Sequence, residues 1–147
     1  MDGWRCETAL PGRRATPDEL VRSAPSLRRV HALTRRLPQR PGWPRALSGP
    51  FAHLAAPEPL PACVIHGDLN PGNVLIHDGR AGLVDWEEAR RDDPALDLAA
   101  LGATVSGRAR RAYLVREIAL CWQPEPERAR RLSGLLVRSG RPLRRRP

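Results

Sequence analysis

The residues able to do chemistry cluster in one short stretch, His66-Gly67-Asp68-Leu69-Asn70-Pro71-Gly72-Asn73. Asp68 and Asn73 stand five residues apart across a proline and a glycine. A tight loop of that composition can aim both side chains into one cleft. A further carboxylate, Asp85, follows twelve residues after Asn73. A hairpin between them would bring Asp85 back beside the loop. Two carboxylates and an amide oxygen would then converge. Hard oxygen ligands of this kind suit Mg²⁺, which takes one or two carboxylates together with substrate phosphates. A carboxylate not engaged by metal can accept a proton from a hydroxyl or orient it. The competing reading is a surface turn with Asp and Asn in ordinary turn roles.

The elements needed to position these groups are legible around them. Cys63-Val64-Ile65 predicts a short buried strand leading into the loop. Val74-Leu75-Ile76 and Ala81-Gly82-Leu83-Val84 predict two more, joined across Asp78-Gly79, a strong hairpin signal. Upstream, Thr16-Pro17-Asp18-Glu19 predicts a helix start with a capping box, and Pro25 is expected to end or kink that helix. A second helix is expected over 26–37. Leu27, Val30, Leu33, Thr34 and Leu37 share one face, with Arg28, Arg29, Arg35 and Arg36 mostly opposite. His31 falls at the edge of the apolar stripe and is expected to pack. Residues 38–44 read as loop, 45–56 as a short helix and 57–61 as an extended approach. Helices are expected over 94–104, 108–121 and 125–138, before an Arg- and Pro-rich tail.

The joint pattern H-x-D-x-x-x-x-N, strand, Asp-Gly turn, strand, Asp matches the kinase template. His66 to Asn73, Val84-Asp85-Trp86-Glu87 and Asp93-Pro94-Ala95-Leu96-Asp97-Leu98-Ala99 resemble the aminoglycoside phosphotransferase family, within the choline-kinase-like group of small-molecule kinases. Leu10-Pro11-Gly12-Arg13 with Thr16 to Leu20, and then Leu27 to Leu33, extend the resemblance upstream. That family has Gly67 where protein kinases place Arg.

The resemblance implies an α+β fold: a protein-kinase-like C-terminal lobe, mainly helical, with a short β-hairpin after the catalytic loop. It implies Asp68 as catalytic base or hydroxyl-orienting residue, and Asn73 and Asp85 as Mg²⁺ ligands. It further implies that His66 braces the loop and Asp97 hydrogen-bonds it. Glu87 and Glu88 would lie near a substrate mouth that reads cationic acceptors. The donor would be ATP or GTP, and the acceptor a small-molecule hydroxyl. On this reading residues 1–15 are a hinge remnant and 16–139 the C-lobe, with the catalytic loop at 66–73 and the metal-Asp hairpin at 74–85. Residues 140–147 form a disordered tail. The N-lobe, with its nucleotide-gripping lysine, is expected to be absent here and supplied, if at all, by another chain. This chain alone is accordingly expected to be inactive.

Composition sets the outer bounds. The 147 residues carry a formal charge of +9, and all 25 basic residues are arginine. Residues 63–104 hold eight acids against three arginines, a net of −5, which leaves +14 for the rest. An acidic centre in a basic chain fits metal-bound phosphate better than a duplex. No nucleic-acid motif appears and aromatics are only 4%, so nucleic-acid binding ranks last. No apolar run of about 18 residues exists, so no membrane span is expected. The first residues lack a signal-peptide core, and the three cysteines, Cys6, Cys63 and Cys121, form no ligand or disulfide spacing. A cytoplasmic location is the expectation. The alternative function is a non-catalytic fragment, pseudokinase-like, that binds a partner.

Overall fold

The capping box anticipated at Thr16 opens the first helix. In the computed structural model, which describes residues 11–39 and 62–139, the Thr16 side chain accepts from the Glu19 amide, and Glu19 accepts from the Thr16 amide. Helix α1 runs Pro17–Arg22 after a two-residue strand, β1 (Arg13–Arg14). Helix α1 stops just ahead of Pro25, as expected, with Ser23 as its C-cap. Pro25 itself sits in the first turn of α2 (Ala24–Thr34), where a missing N–H costs nothing. Helix α2 stops three residues short of the expected end. Its buried face passes through Ala24, Leu27 and His31, so His31 lies within the stripe rather than at its edge. Leu33, expected inside, is 82% exposed.

Strands β2 (Cys63–Ile65), β3 (Val74–His77) and β4 (Arg80–Leu83) fall close to the predicted runs. The β3–β4 hairpin turns at Asp78-Gly79, with φ of +46° and +71°. Both central residues of a type I′ turn need positive φ, which Asp tolerates and Gly prefers. Two pairings were not expected. Arg13 and Arg14, within the segment read as a hinge remnant, pair with Ile76 and Leu75. Strand β5 (Arg90–Asp92) pairs antiparallel with β2. The described residues therefore contain a three-stranded sheet, β1-β3-β4, and a two-stranded ribbon, β2-β5.

Helix α3 covers Pro94–Ala100 rather than 94–104. The amides of Gly102 and Ala103 bond back to the carbonyls of Ala99 and Leu98, and Gly102 takes φ +78°. This Schellman ending stops the helix. Helices α4 (Gly107–Cys121) and α5 (Pro126–Ser139) agree with prediction. They pack through Leu114, Val115, Ile118, Cys121, Ala129 and Leu136. About half of the described residues are helical.

The site loop is pinned by the core on both sides. Leu69 and Val74 belong to the cluster that includes Leu20, Leu27 and Leu101, while Ile65 packs with Cys63 and Leu96. Burying each large side chain of this kind is worth about 1.5–3 kcal/mol, so residues 66–73 are a loop with fixed ends. The expectations for 1–10, 45–56, 57–61 and the tail 140–147 fall outside the described residues.

Candidate active site

The chain enters the loop from β2 and turns immediately. Gly67 takes φ +86°, which glycine adopts without strain. Asn70 closes a small turn, its side-chain oxygen accepting from the Gly72 amide at 2.8 Å. The Asn73 amide then donates to the Asn70 carbonyl at 3.0 Å. These turns bring Asp68 and Asn73 together. Asn73 Nδ2 donates to the Asp68 carboxylate at 3.0 Å and to the Asp68 main-chain oxygen at 2.9 Å. Asn70 Nδ2 stands 3.4 Å from the other carboxylate oxygen. Both partners are acceptors, so the Asn73 amide group must face them and its oxygen must face away.

Asp97 supports the loop from below. It is 2% exposed, at the buried face of α3. Its Oδ2 accepts from the His66 amide at 2.8 Å, and its Oδ1 from the Gly67 amide at 3.0 Å. Its third partner is His31 Nε2, 2.9 Å from Oδ2 and 66 residues away in the chain. Helices α2 and α3 thus meet at one carboxylate under the loop. His66 is fully buried and links the loop to the hairpin. Its Nε2 lies 2.8 Å from the Val84 carbonyl, which can only accept, so Nε2 carries the hydrogen. Its Nδ1 is then free to accept from the Asp68 amide, 3.4 Å away. The Trp86 ring covers the imidazole at a centroid distance of 4.7 Å.

Asp85 leaves β4 beside this loop. The Val84 amide bonds to the Asn73 carbonyl at 3.1 Å, and Asp85 itself takes φ +61°. The carboxylate is exposed and makes no hydrogen bond or ion pair among the described residues. Asp68 and Asn73 are therefore brought into contact, and Asp85 is delivered next to them by main-chain bonds. The donor set fits Mg²⁺: an amide oxygen turned outward at Asn73 and an open carboxylate at Asp85. No group of three or more His, Cys, Asp or Glu able to hold a metal occurs among the described residues. Glu87 and Glu88 form the turn between β4 and β5. Glu88 is half-buried and turns its main-chain carbonyl toward Arg90, while Glu87 is exposed.

A pocket opens beside Asp68, walled by Arg90, Tyr113, Arg116, Glu117 and Arg128. Glu117 on α4 pairs with Arg128 on α5 at 2.8 Å. Burial pushes the Glu117 carboxyl up, with Arg128 opposing and Asp68 adding to the rise. Burial also pushes the Tyr113 phenol up to about 12, with Glu117 reinforcing it. Arg116 is pulled down to about 10 by burial and by Arg90, which leaves it charged at neutral pH. Sequence reasoning singled out none of these side chains. They lie 22 to 60 residues from Asp68, and nothing in their local pattern marks them.

A strand-to-loop Asp–Asn pair, a hairpin and a returning Asp constitute the arrangement of a kinase-like phosphotransferase. The chain belongs to the phosphotransferase enzyme family of aminoglycoside phosphotransferases, whose family model matches residues 6–132. That family implies a protein-kinase-like fold, with which the mixture of helix and strand agrees. Over 59 residues the chain is 49% identical to the viomycin phosphotransferase of Streptomyces vinaceus. That match covers 35% of this chain and 21% of the relative, so the chain spans about a fifth of that protein's length. No solved structure matches. No helix among the described residues is long and apolar enough to cross a membrane.

Proposed function

We propose that this chain carries the catalytic loop of a kinase that transfers the γ-phosphate of ATP or GTP to a hydroxyl of a small molecule. The observation that carries the reading is the Asn73–Asp68 hydrogen bond at 3.0 Å, beside a pocket and an open Asp85. Asp68 accepts or orients the acceptor hydroxyl, which lies in the pocket bounded by Tyr113 and Glu117. The Asn73 amide keeps the Asp68 carboxylate in one rotamer without neutralising it. Asn73 and Asp85 hold Mg²⁺, which when bound neutralises charge on the donor phosphates. His66 and Asp97 fix the loop backbone, so these groups need no reorganisation at the moment of transfer.

The acceptor is a cationic antibiotic or an amino alcohol. The resemblance to a viomycin phosphotransferase supports the first, and the acidic Glu87-Glu88 turn supports either. The 147 residues contain no lysine. A lysine that grips the nucleotide phosphates would have to come from outside these residues. The second reading is a non-catalytic relative that binds a partner.

Transfer of labelled phosphate from ATP and GTP, with Mg²⁺, to viomycin, aminoglycosides and choline tests the proposal. Activity is expected once a lysine-bearing lobe is supplied, lost with a chelator and reduced about 10²–10⁴-fold by Asp68→Asn, the range for a missing general base. Asp78→Asn, in the exposed hairpin turn, is expected to leave activity near wild type. No transfer to any acceptor by the folded protein, with or without a lysine-bearing partner, would establish the non-catalytic reading instead.

A further inference from the structure

The loop is gripped by a second group besides Asp97. A Cβ at Gly67 would overlap Arg90 Nη1 and lie 2.5 Å from the Glu88 carbonyl oxygen. Gly67 is thus seated directly on the Arg90 guanidinium. Arg90 is only 2% exposed and cannot swing away. Its Nη1 donates to the Glu88 carbonyl at 3.0 Å and its Nε to Asp92 Oδ2 at 3.2 Å. The same Asp92 oxygen accepts from Arg116 Nη1 at 2.9 Å. A continuous chain of contacts runs from α4 through Arg116, Asp92 and Arg90 to Gly67, the residue before Asp68.

Two guanidinium groups on one largely buried carboxylate oxygen make a poor device for stability alone. The desolvation is costly, and Arg116 Nε is buried with no hydrogen-bond partner among the described residues. Apolar side chains of similar volume would often pack there as well or better. What apolar packing cannot supply is a planar fork that ties the Glu88 carbonyl to Asp92 and sets a guanidinium nitrogen against Gly67.

The geometry points to Arg90, aligned by Asp92 and Arg116, as a positioning residue that sets Gly67 and hence the direction of Asp68. It acts on the loop and touches no reacting atom, so helix α4 contributes to turnover through the loop backbone. The effect on turnover rests on the proposed phosphotransferase reading; the effect on the loop does not.

The two arginines differ in a testable way. Arg90 donates from Nη1 to the Glu88 carbonyl and from Nε to Asp92, whereas Arg116 gives Asp92 a single donor, Nη1. A lysine therefore replaces Arg116 and fails at Arg90. Four full-length proteins are compared: wild type, Arg116→Lys, Arg116→Met and Arg90→Lys. Amide hydrogen exchange is read at Gly67, whose N–H donates to Asp97, and kcat and KM are read for the transfer reaction. Arg116→Lys is expected within about twofold of wild type in both. Arg116→Met and Arg90→Lys are expected to speed Gly67 exchange about tenfold and lower kcat about tenfold, a modest loss for misplaced geometry, with both KM values within about twofold. The hairpin amides of β3 and β4 should not change. Equal behaviour of Arg116→Lys and Arg116→Met, or wild-type Gly67 exchange in Arg90→Lys, would overturn the inference. If no protein transfers phosphate, the catalytic reading fails, and Gly67 exchange alone decides this one.

Discussion

Asp97→Asn tests most directly how the loop is held. The carboxylate accepts three hydrogen bonds, from the amides of His66 and Gly67 and from His31. An asparagine offers one oxygen and one NH₂ in the same shape. Keeping the oxygen at the Oδ2 position preserves His66 and His31 but sets the NH₂ against the Gly67 N–H. One charge-assisted bond, worth about 1.5–3 kcal/mol, is then lost, and two donors face each other in a buried site. The two remaining bonds weaken from ionic to neutral. The combined cost is about 3 kcal/mol. At about 4 °C per kcal/mol for a chain near this length, Tm falls by about 12 °C. Asp97→Ala leaves all three donors unpaired and is expected to cost more, about 3–5 kcal/mol. Circular dichroism melts at neutral pH measure both. A fall below about 4 °C for Asp97→Asn, or equal falls for the two variants, would refute the claim that this carboxylate supports the loop.

Two further outcomes follow from the same geometry. The Arg13 guanidinium, with the Thr16 amide adding to it, draws the Glu19 carboxyl down to about 2 from an ordinary 4.5. A depressed folded value means that this contribution is complete above pH 4.5 and fades as pH falls toward 2. Melts of wild type and Glu19→Gln should therefore differ at neutral pH and converge near the acid end; a constant gap across that window would show that Glu19 acts only as a cap. Burial, with Asp97 second, pushes the Cys63 thiol up to about 11. A thiol reagent at mildly alkaline pH should leave Cys63 unmodified in the native protein and label it after denaturation, read by peptide mass. Native labelling would contradict its placement in the β2 core.

The local features of the chain were readable because each is encoded by a few adjacent residues. The capping box needs only Thr16 and Glu19. The hairpin needs two apolar runs and Asp78-Gly79, and the site loop needs Asp68, Asn73 and the turn formers between them. The missed features all depend on long-range partners. Strand β5 reads Arg-Arg-Asp and carries no apolar alternation. It is a strand because its main chain pairs with β2, and because Arg90 and Asp92 find partners on the loop and on α4. Strand β1 is two arginines held by β3. His31 looked like a packing residue because its partner, Asp97, lies 66 positions away. Leu33 fitted the helical period but points outward, since the helix turns its buried face toward α3 and β2 through Leu27, His31 and Thr34. The tail of the expected helix at 101–104 failed for a local reason that was legible. Gly102 sits where a Schellman ending needs a left-handed residue.

Four aspartates close to one another in this fold show how environment, and not residue type, divides the work. Asp97 is buried with its oxygens taken by three donors, so it can neither bind a metal nor accept a new proton without releasing the loop. Asp92 is bridged by two guanidinium groups and is equally committed. Among the described residues the Asp68 carboxylate takes its hydrogen bonds from the amide groups of Asn70 and Asn73, which orient it. Asp85 has no partner among the described residues and sits at φ +61°, a left-handed conformation that Asp adopts more readily than most residues. It is flanked by the Val84–Asn73 and His66–Val84 bonds, which belong to the same loop that carries Asp68. The open carboxylate is therefore tied to the loop by main-chain bonds. A change that loosens His66 should release Asp68 and Asp85 together, because one imidazole bridges the Asp68 amide and the Val84 carbonyl.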